Sequence, residues 1–129
     1  MNHDLTTALT AYLECALWSS TNYGPDGDIG DSFYSEGFEP DDIAPESVKA
    51  ARSELADFLQ YCADSGLSTD EYATDEMMGH DFWLTRNGHG AGFWDRGYPG
   101  TDGDTLTALC KPYGSSDACM GDDGLIYLS

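Results

Sequence analysis

Histidine is the side chain best suited to move protons near neutral pH, and two of the chain's three histidines fall in one short run. The run is Gly79-His80-Asp81-Phe82-Trp83-Leu84-Thr85-Arg86-Asn87-Gly88-His89-Gly90-Ala91-Gly92-Phe93-Trp94-Asp95-Arg96-Gly97. A chemical reading makes His80 or His89 a general base, Asp81 or Asp95 its orienting carboxylate, and Arg86 or Arg96 an anion clamp. That gives a small enzyme or ligand-binding module centred on His80, Asp81, Arg86, His89 and Arg96. No nucleophile or phosphate loop accompanies these residues, and Gly88-His89-Gly90 is not a Gly-x-Gly-x-x-Gly fingerprint. The structural reading carries more weight. Glycines serve tight turns, Trp and Phe enter the core, and Arg86 and Arg96 pair with the carboxylates around them. No catalytic residue is assigned on this basis, and the chain reads as more binding protein than enzyme.

Metal chemistry finds less support. The loop Asp26-Gly27-Asp28-Ile29-Gly30-Asp31 clusters hard oxygen ligands, but counting Asp26 as the first position puts Gly30 where a calcium ligand belongs and Gly37 where the closing Glu belongs. Asp102 with Asp104, and Asp122 with Asp123, are equally incomplete. Cys15, Cys62, Cys110 and Cys119 are scattered without a Cys-x-x-Cys pair, so buried reduced thiols are expected rather than a zinc or redox centre. Neither metal nor cofactor is expected.

These residues must be positioned by a chain of 129 residues with 24 Asp and Glu, 5 Lys and Arg, and a formal net charge of -19. The length fits one α+β domain, and 40% apolar and 12% aromatic residues supply a core that a disordered acidic tail lacks. Direct binding to nucleic acid or anionic lipid draws on Lys and Arg, which are scarce here, so both are excluded as partners. No run approaches the roughly 20 apolar residues of a membrane span. Met1-Asn2-His3-Asp4 lacks the basic start and apolar core of a signal peptide, so the expected location is the cytosol.

Leu5, Leu9, Tyr12, Leu13, Ala16 and Leu17 recur at helical steps across residues 4–18, with Asp4 as cap. Residues 19–45 form a long acidic loop, pinned by its spaced aromatics. Pro45 opens a second helix running through Cys62 and ended by Gly66. A third is expected from Thr69 to Met78, capped by Ser68 or Thr69 and stopped by Gly79. Phe82–Arg86 and Ala91–Trp94 around Asn87-Gly88-His89-Gly90 predict a hairpin. A short helix over 101–109 and a second hairpin around Gly121-Asp122-Asp123-Gly124 complete the chain. The expected fold is α+β, three to four helices packed on a small antiparallel sheet made from two C-terminal hairpins, as one domain over residues 1–129.

The charge is spread over all segments. Such a surface is ordinarily a solvated face. Carboxylates on a rigid frame can also imitate a phosphate backbone and occupy a basic groove built for nucleic acid. Asp26, Asp28, Asp31, Glu36, Glu39, Asp41 and Asp42 would supply the charge, and Tyr23, Phe33, Tyr34 and Phe38 the anchors.

The run Gly79 to Gly97, with Ala11-Tyr12-Leu13-Glu14-Cys15-Ala16-Leu17-Trp18 upstream and Gly121-Asp122-Asp123-Gly124 with Tyr127 at the end, resembles a family of small acidic proteins encoded by bacteriophages and other mobile elements. The acidic loop 19–45 has no counterpart in that pattern. The resemblance implies a genomic setting and no reaction. In that setting the acidic surface implies an inhibitor that binds and blocks a host nucleic-acid-binding defence complex of the CRISPR or restriction kind, in the host cytosol. An accessory phage role, structural or regulatory, is the remaining reading.

Overall fold

The computed structural model describes residues 3–23 and 29–129. Among the described residues, four α-helices and two two-stranded antiparallel sheets make up an α+β fold: α1 (Leu5–Ser19), β1 (Thr21–Tyr23), β2 (Ile29–Ser32), α2 (Pro45–Asp64), α3 (Asp75–Arg86), α4 (Asp102–Cys110), β3 (Ala118–Met120) and β4 (Ile126–Leu128). Single 3₁₀ turns join them at Pro40–Asp42, Thr69–Glu71, Phe93–Asp95 and Lys111–Tyr113.

The ends of α1 and α2 follow their sequence cues. The Asp4 carboxylate accepts from Thr6 N at 3.2 Å and Thr7 Oγ1 at 2.6 Å, satisfying an otherwise orphan amide of the first turn. Pro45 stands at the first position of α2, and Gly66 takes a positive φ of 81° just past its end.

Residues 82–94 depart from the hairpin expected of them, because the helix expected to stop at Gly79 runs on to Arg86. Thr74 caps α3 by accepting from Met77 N at 3.1 Å, and Asp75 and Glu76 occupy its first turn. Helix α3 continues straight through Gly79. Asn87-Gly88, read as a hairpin turn, is the helix terminus: Gly88 at φ 66° lets its N–H reach the Thr85 carbonyl (3.2 Å) while His89 N–H reaches that of Leu84 (3.1 Å). That pair of bonds is the Schellman ending, in which a glycine in the left-handed region satisfies two last-turn carbonyls. Residues 93–95 are a 3₁₀ turn rather than a returning strand. The expected sheet of two C-terminal hairpins is thus reduced to one, β3–β4, and the other small sheet forms inside the acidic segment, where Thr21 faces Ser32 and Tyr23 faces Ile29. Thr69 begins a separate 3₁₀ turn instead of capping a helix.

Helices α1 and α3 form the closest pair. A Cβ placed on Gly79 would stand 1.8 Å from the carbonyl oxygen of Ala8, so only glycine allows the two backbones to approach this far. Tyr12 meets Trp83 edge-on at 5.3 Å, and Phe82 stacks on Phe58 of α2 at 4.3 Å, extending the core across three helices. The C-terminal hairpin closes it: Ile126 is fully buried, and its carbonyl accepts from Ala44 N at 2.8 Å. Phe33 is buried with Phe38 against its ring at 5.8 Å, which pins the acidic segment to the body.

Candidate functional site

Helical spacing sets one stripe of side chains on each member of the α1–α3 pair facing a shared groove. On α1 these are Ala11, Glu14, Cys15 and Trp18; on α3 they are Glu76, Met77, His80 and Asp81, each set at steps of three and four. Tyr34, from the turn after β2, and Arg96, from the turn after residues 93–95, complete a cavity of about 580 Å³. That volume lies in the range of small-molecule sites.

At the floor, Asp81 is fully buried and accepts from Arg96 Nε at 2.8 Å and Arg96 Nη2 at 2.6 Å, a two-pronged bond that fixes the guanidinium plane. His80 Nδ1 lies 3.3 Å from the same carboxylate. Burial pushes the Asp81 carboxyl up, but the bonds from His80 and Arg96 outweigh it and hold the group below the usual aspartate range. An ionised carboxylate only accepts, so His80 Nδ1 carries the proton of this bond. The ring stands 6.3 Å from that of Trp18, which is 57% exposed. Cys15 is the sulfur nucleophile of the groove, and burial pushes its thiol up to about 12, so it stays protonated at neutral pH. The groove can bind; it holds no activated sulfur nucleophile.

Arg86 and His89 lie elsewhere. Arg86 is buried and spends all its donors on the protein: Nε on the Gly114 carbonyl (2.9 Å), Nη1 on Tyr12 Oη (3.0 Å) and Glu54 Oε1 (3.2 Å), and Nη2 on Glu54 Oε2 (3.2 Å) and the Tyr113 carbonyl (2.9 Å). Burial lowers its affinity for the proton, and Tyr12 and Glu54 more than restore it. It is a structural bolt, with nothing left for a ligand. His89 lines a different depression with Ser20, Asn87 and Cys119 that shares no residue with the groove. Asp95 is also structural, accepting from Gly92 N at 3.1 Å.

The acidic segment forms a second surface beside the groove. Asp31, Glu36, Glu39 and Asp41 are exposed and Asp42 half-exposed, while Asp26 and Asp28 lie outside the described residues. Glu36 braces the β1–β2 sheet, accepting from Asn22 Nδ2 at 2.7 Å and Asp31 N at 3.2 Å. Asp42 accepts from Glu39 N at 2.8 Å. Of the anchors expected there, Phe33 is buried and Phe38 half-buried, so neither is a free contact. The other two expected anchors, Tyr23 (61%) and Tyr34 (59%), are exposed, and Trp18 (57%) and Ile29 (79%) join them. Trp18 escaped sequence reasoning because it ends a helix whose other aromatic, Tyr12, is core.

Among the described residues no group of three or more His, Cys, Asp or Glu is placed to hold a metal ion, and no helix is long and apolar enough to cross a membrane. Comparison of the chain with family models, with curated proteins and with solved structures gives no match in any of the three.

Proposed function

We propose that the chain is a binding protein of phage type that docks its acidic, aromatic-studded face, residues 18–23 and 29–42, onto the basic nucleic-acid-binding surface of a host defence complex and blocks it. One observation carries the reading. Of the six large apolar side chains that are exposed among the described residues, four (Trp18, Tyr23, Ile29 and Tyr34) fall within this short segment, interleaved with exposed carboxylates. Interfaces draw affinity from a few aromatic anchors and draw encounter rate and selectivity from charge complementarity. An acidic field around such anchors selects a basic partner.

The internal ion pairs strengthen that field. Of five basic side chains, Arg86 is paired with Glu54 and Arg96 with Asp81, while 17 of the 22 acidic residues described are exposed. Little positive charge remains to cancel the surface.

The test is capture of partners from bacterial lysate by tagged protein, followed by competition. The expected result is a basic nucleic-acid-handling protein that is released by duplex DNA and by raising salt from ~0.1 to ~1 M, where the screening length shrinks from about 10 to about 3 Å. The triple change Asp31→Asn, Glu39→Gln, Asp41→Asn, or Tyr23→Ala with Tyr34→Ala, should release it as well. Capture that resists salt and DNA, or survives both sets of changes, refutes the reading.

A further inference from the structure

The groove between α1 and α3 shares Trp18 and Tyr34 with the acidic face but carries further features that docking of that face does not use. It is an open groove of about 580 Å³, its walls are apolar at Ala11, Trp18, Tyr34 and Met77, and polar groups converge on it from both helices. The floor is electrically silent, since the Asp81 carboxylate and the Arg96 guanidinium cancel one another. What remains is the pair Glu14 and Glu76, both exposed at the rim, and neither has a basic partner among the ion pairs of the described residues. The lining therefore holds three carboxylates against one guanidinium, inside a molecule of net charge -19.

We propose that this groove is a binding site for a small organic cation, a protonated amine on an apolar body. The ammonium is drawn to Glu14 and Glu76, while the body lies against Trp18 and Met77. Two arguments favour a cation over an anion of equal size. Trp presents the most favourable aromatic face for a cation, and Trp18 is the exposed indole of the groove. An anion would meet Glu14, Glu76 and the field of the whole surface, and the one guanidinium of the lining already has Nε and Nη2 on Asp81. The inference does not depend on the partner proposed above, since it concerns a free small molecule and stands if no basic protein is captured.

The probe is 2-phenylethylamine, with 3-phenylpropionate as the anion of similar shape, titrated into ¹⁵N-labelled protein at neutral pH and moderate salt. Saturable shifts confined to the Trp18 indole and the amides around residues 11–18 and 76–81 are expected for the amine, with the anion at least about tenfold weaker. Glu14→Gln with Glu76→Gln should weaken the amine roughly tenfold, and Trp18→Ala should abolish saturation. Asp117→Asn with Asp122→Asn removes the same charge outside the groove and should leave binding unchanged. The proposal fails if amine and anion bind alike, if shifts are spread over the surface without saturation, or if the two charge-removing pairs have equal effect. A flat titration with the amine also overturns it.

Discussion

Replacing Gly79 with alanine sets two effects of known size against each other. In an exposed helix interior the change gains about 1 kcal/mol, because glycine has the larger conformational entropy to lose. At this position the new Cβ would stand 1.8 Å from the Ala8 carbonyl oxygen and 2.7 Å from its carbon. Both are backbone atoms of α1, so no side chain can swing aside, and relief requires moving one helix off the other by about 1 Å or more. Forcing a methyl group into a packed interior costs about 1–3 kcal/mol, and a rigid obstacle places this case at the upper end. The clash outweighs the propensity, for a net loss of about 2 kcal/mol. Urea unfolding followed by circular dichroism should show a lower midpoint with little change in slope. Separation of the helices also loosens the Tyr12–Trp83 contact, so native Trp emission should shift to the red. Truncating Ala8 to glycine should not rescue the variant, because the clash is with the carbonyl. An increase in stability would refute the claim that α1 and α3 cross at this residue.

Arg86→Lys preserves the charge but leaves several of the five acceptors unfilled, and should cost about 2–4 kcal/mol in the same unfolding assay; a loss below ~0.5 kcal/mol would show that the bolt is not structural. Asp81 ionises more readily folded than unfolded, so its contribution is complete above the unfolded value near ~3.9 and is lost as pH falls through the lower folded value. Asp81→Asn should therefore destabilise by about 1–3 kcal/mol at pH ~7, discounted for the partial exposure of Arg96, with the gap to the parent narrowing below pH ~4. A gap constant down to pH ~2.5 would exclude Asp81 as its source.

Much of the architecture was legible because it rests on local rules. Asp4 before an apolar periodicity, Pro45 opening another, and Gly121-Asp122-Asp123-Gly124 between two apolar runs each specify an element without help from distant residues. Helix α3 was misread for an equally local reason. Phe82, Trp83 and Leu84 are consecutive and all buried, so the helix shows no clean polar face, and Asn-Gly serves a helix terminus as readily as a hairpin. The Gly79 reading failed for want of a neighbour: a glycine that stops a helix and one that admits a second backbone look identical in one dimension. The five candidate site residues then parted according to tertiary contact. His80, Asp81 and Arg96 meet across 15 positions, whereas Arg86 was claimed by acceptors 32 residues before it and 28 after. The groove itself, joining Glu14 and Trp18 to Glu76 and His80, has no sequence signature beyond the four-residue step within each helix.

The C-terminal hairpin imposes an order on the life of the chain. A ribosome delivers α1, α2 and α3 before the carbonyls of Tyr113 and Gly114 that receive Arg86, and before Ile126, which fills the core and accepts from Ala44. Until those residues emerge, the guanidinium must stay hydrated and the three helices cannot seal around it. Contacts so distant in sequence carry a large closure entropy and form late. Closure of the core therefore waits on residues 113–128, which follow all three helices in the chain.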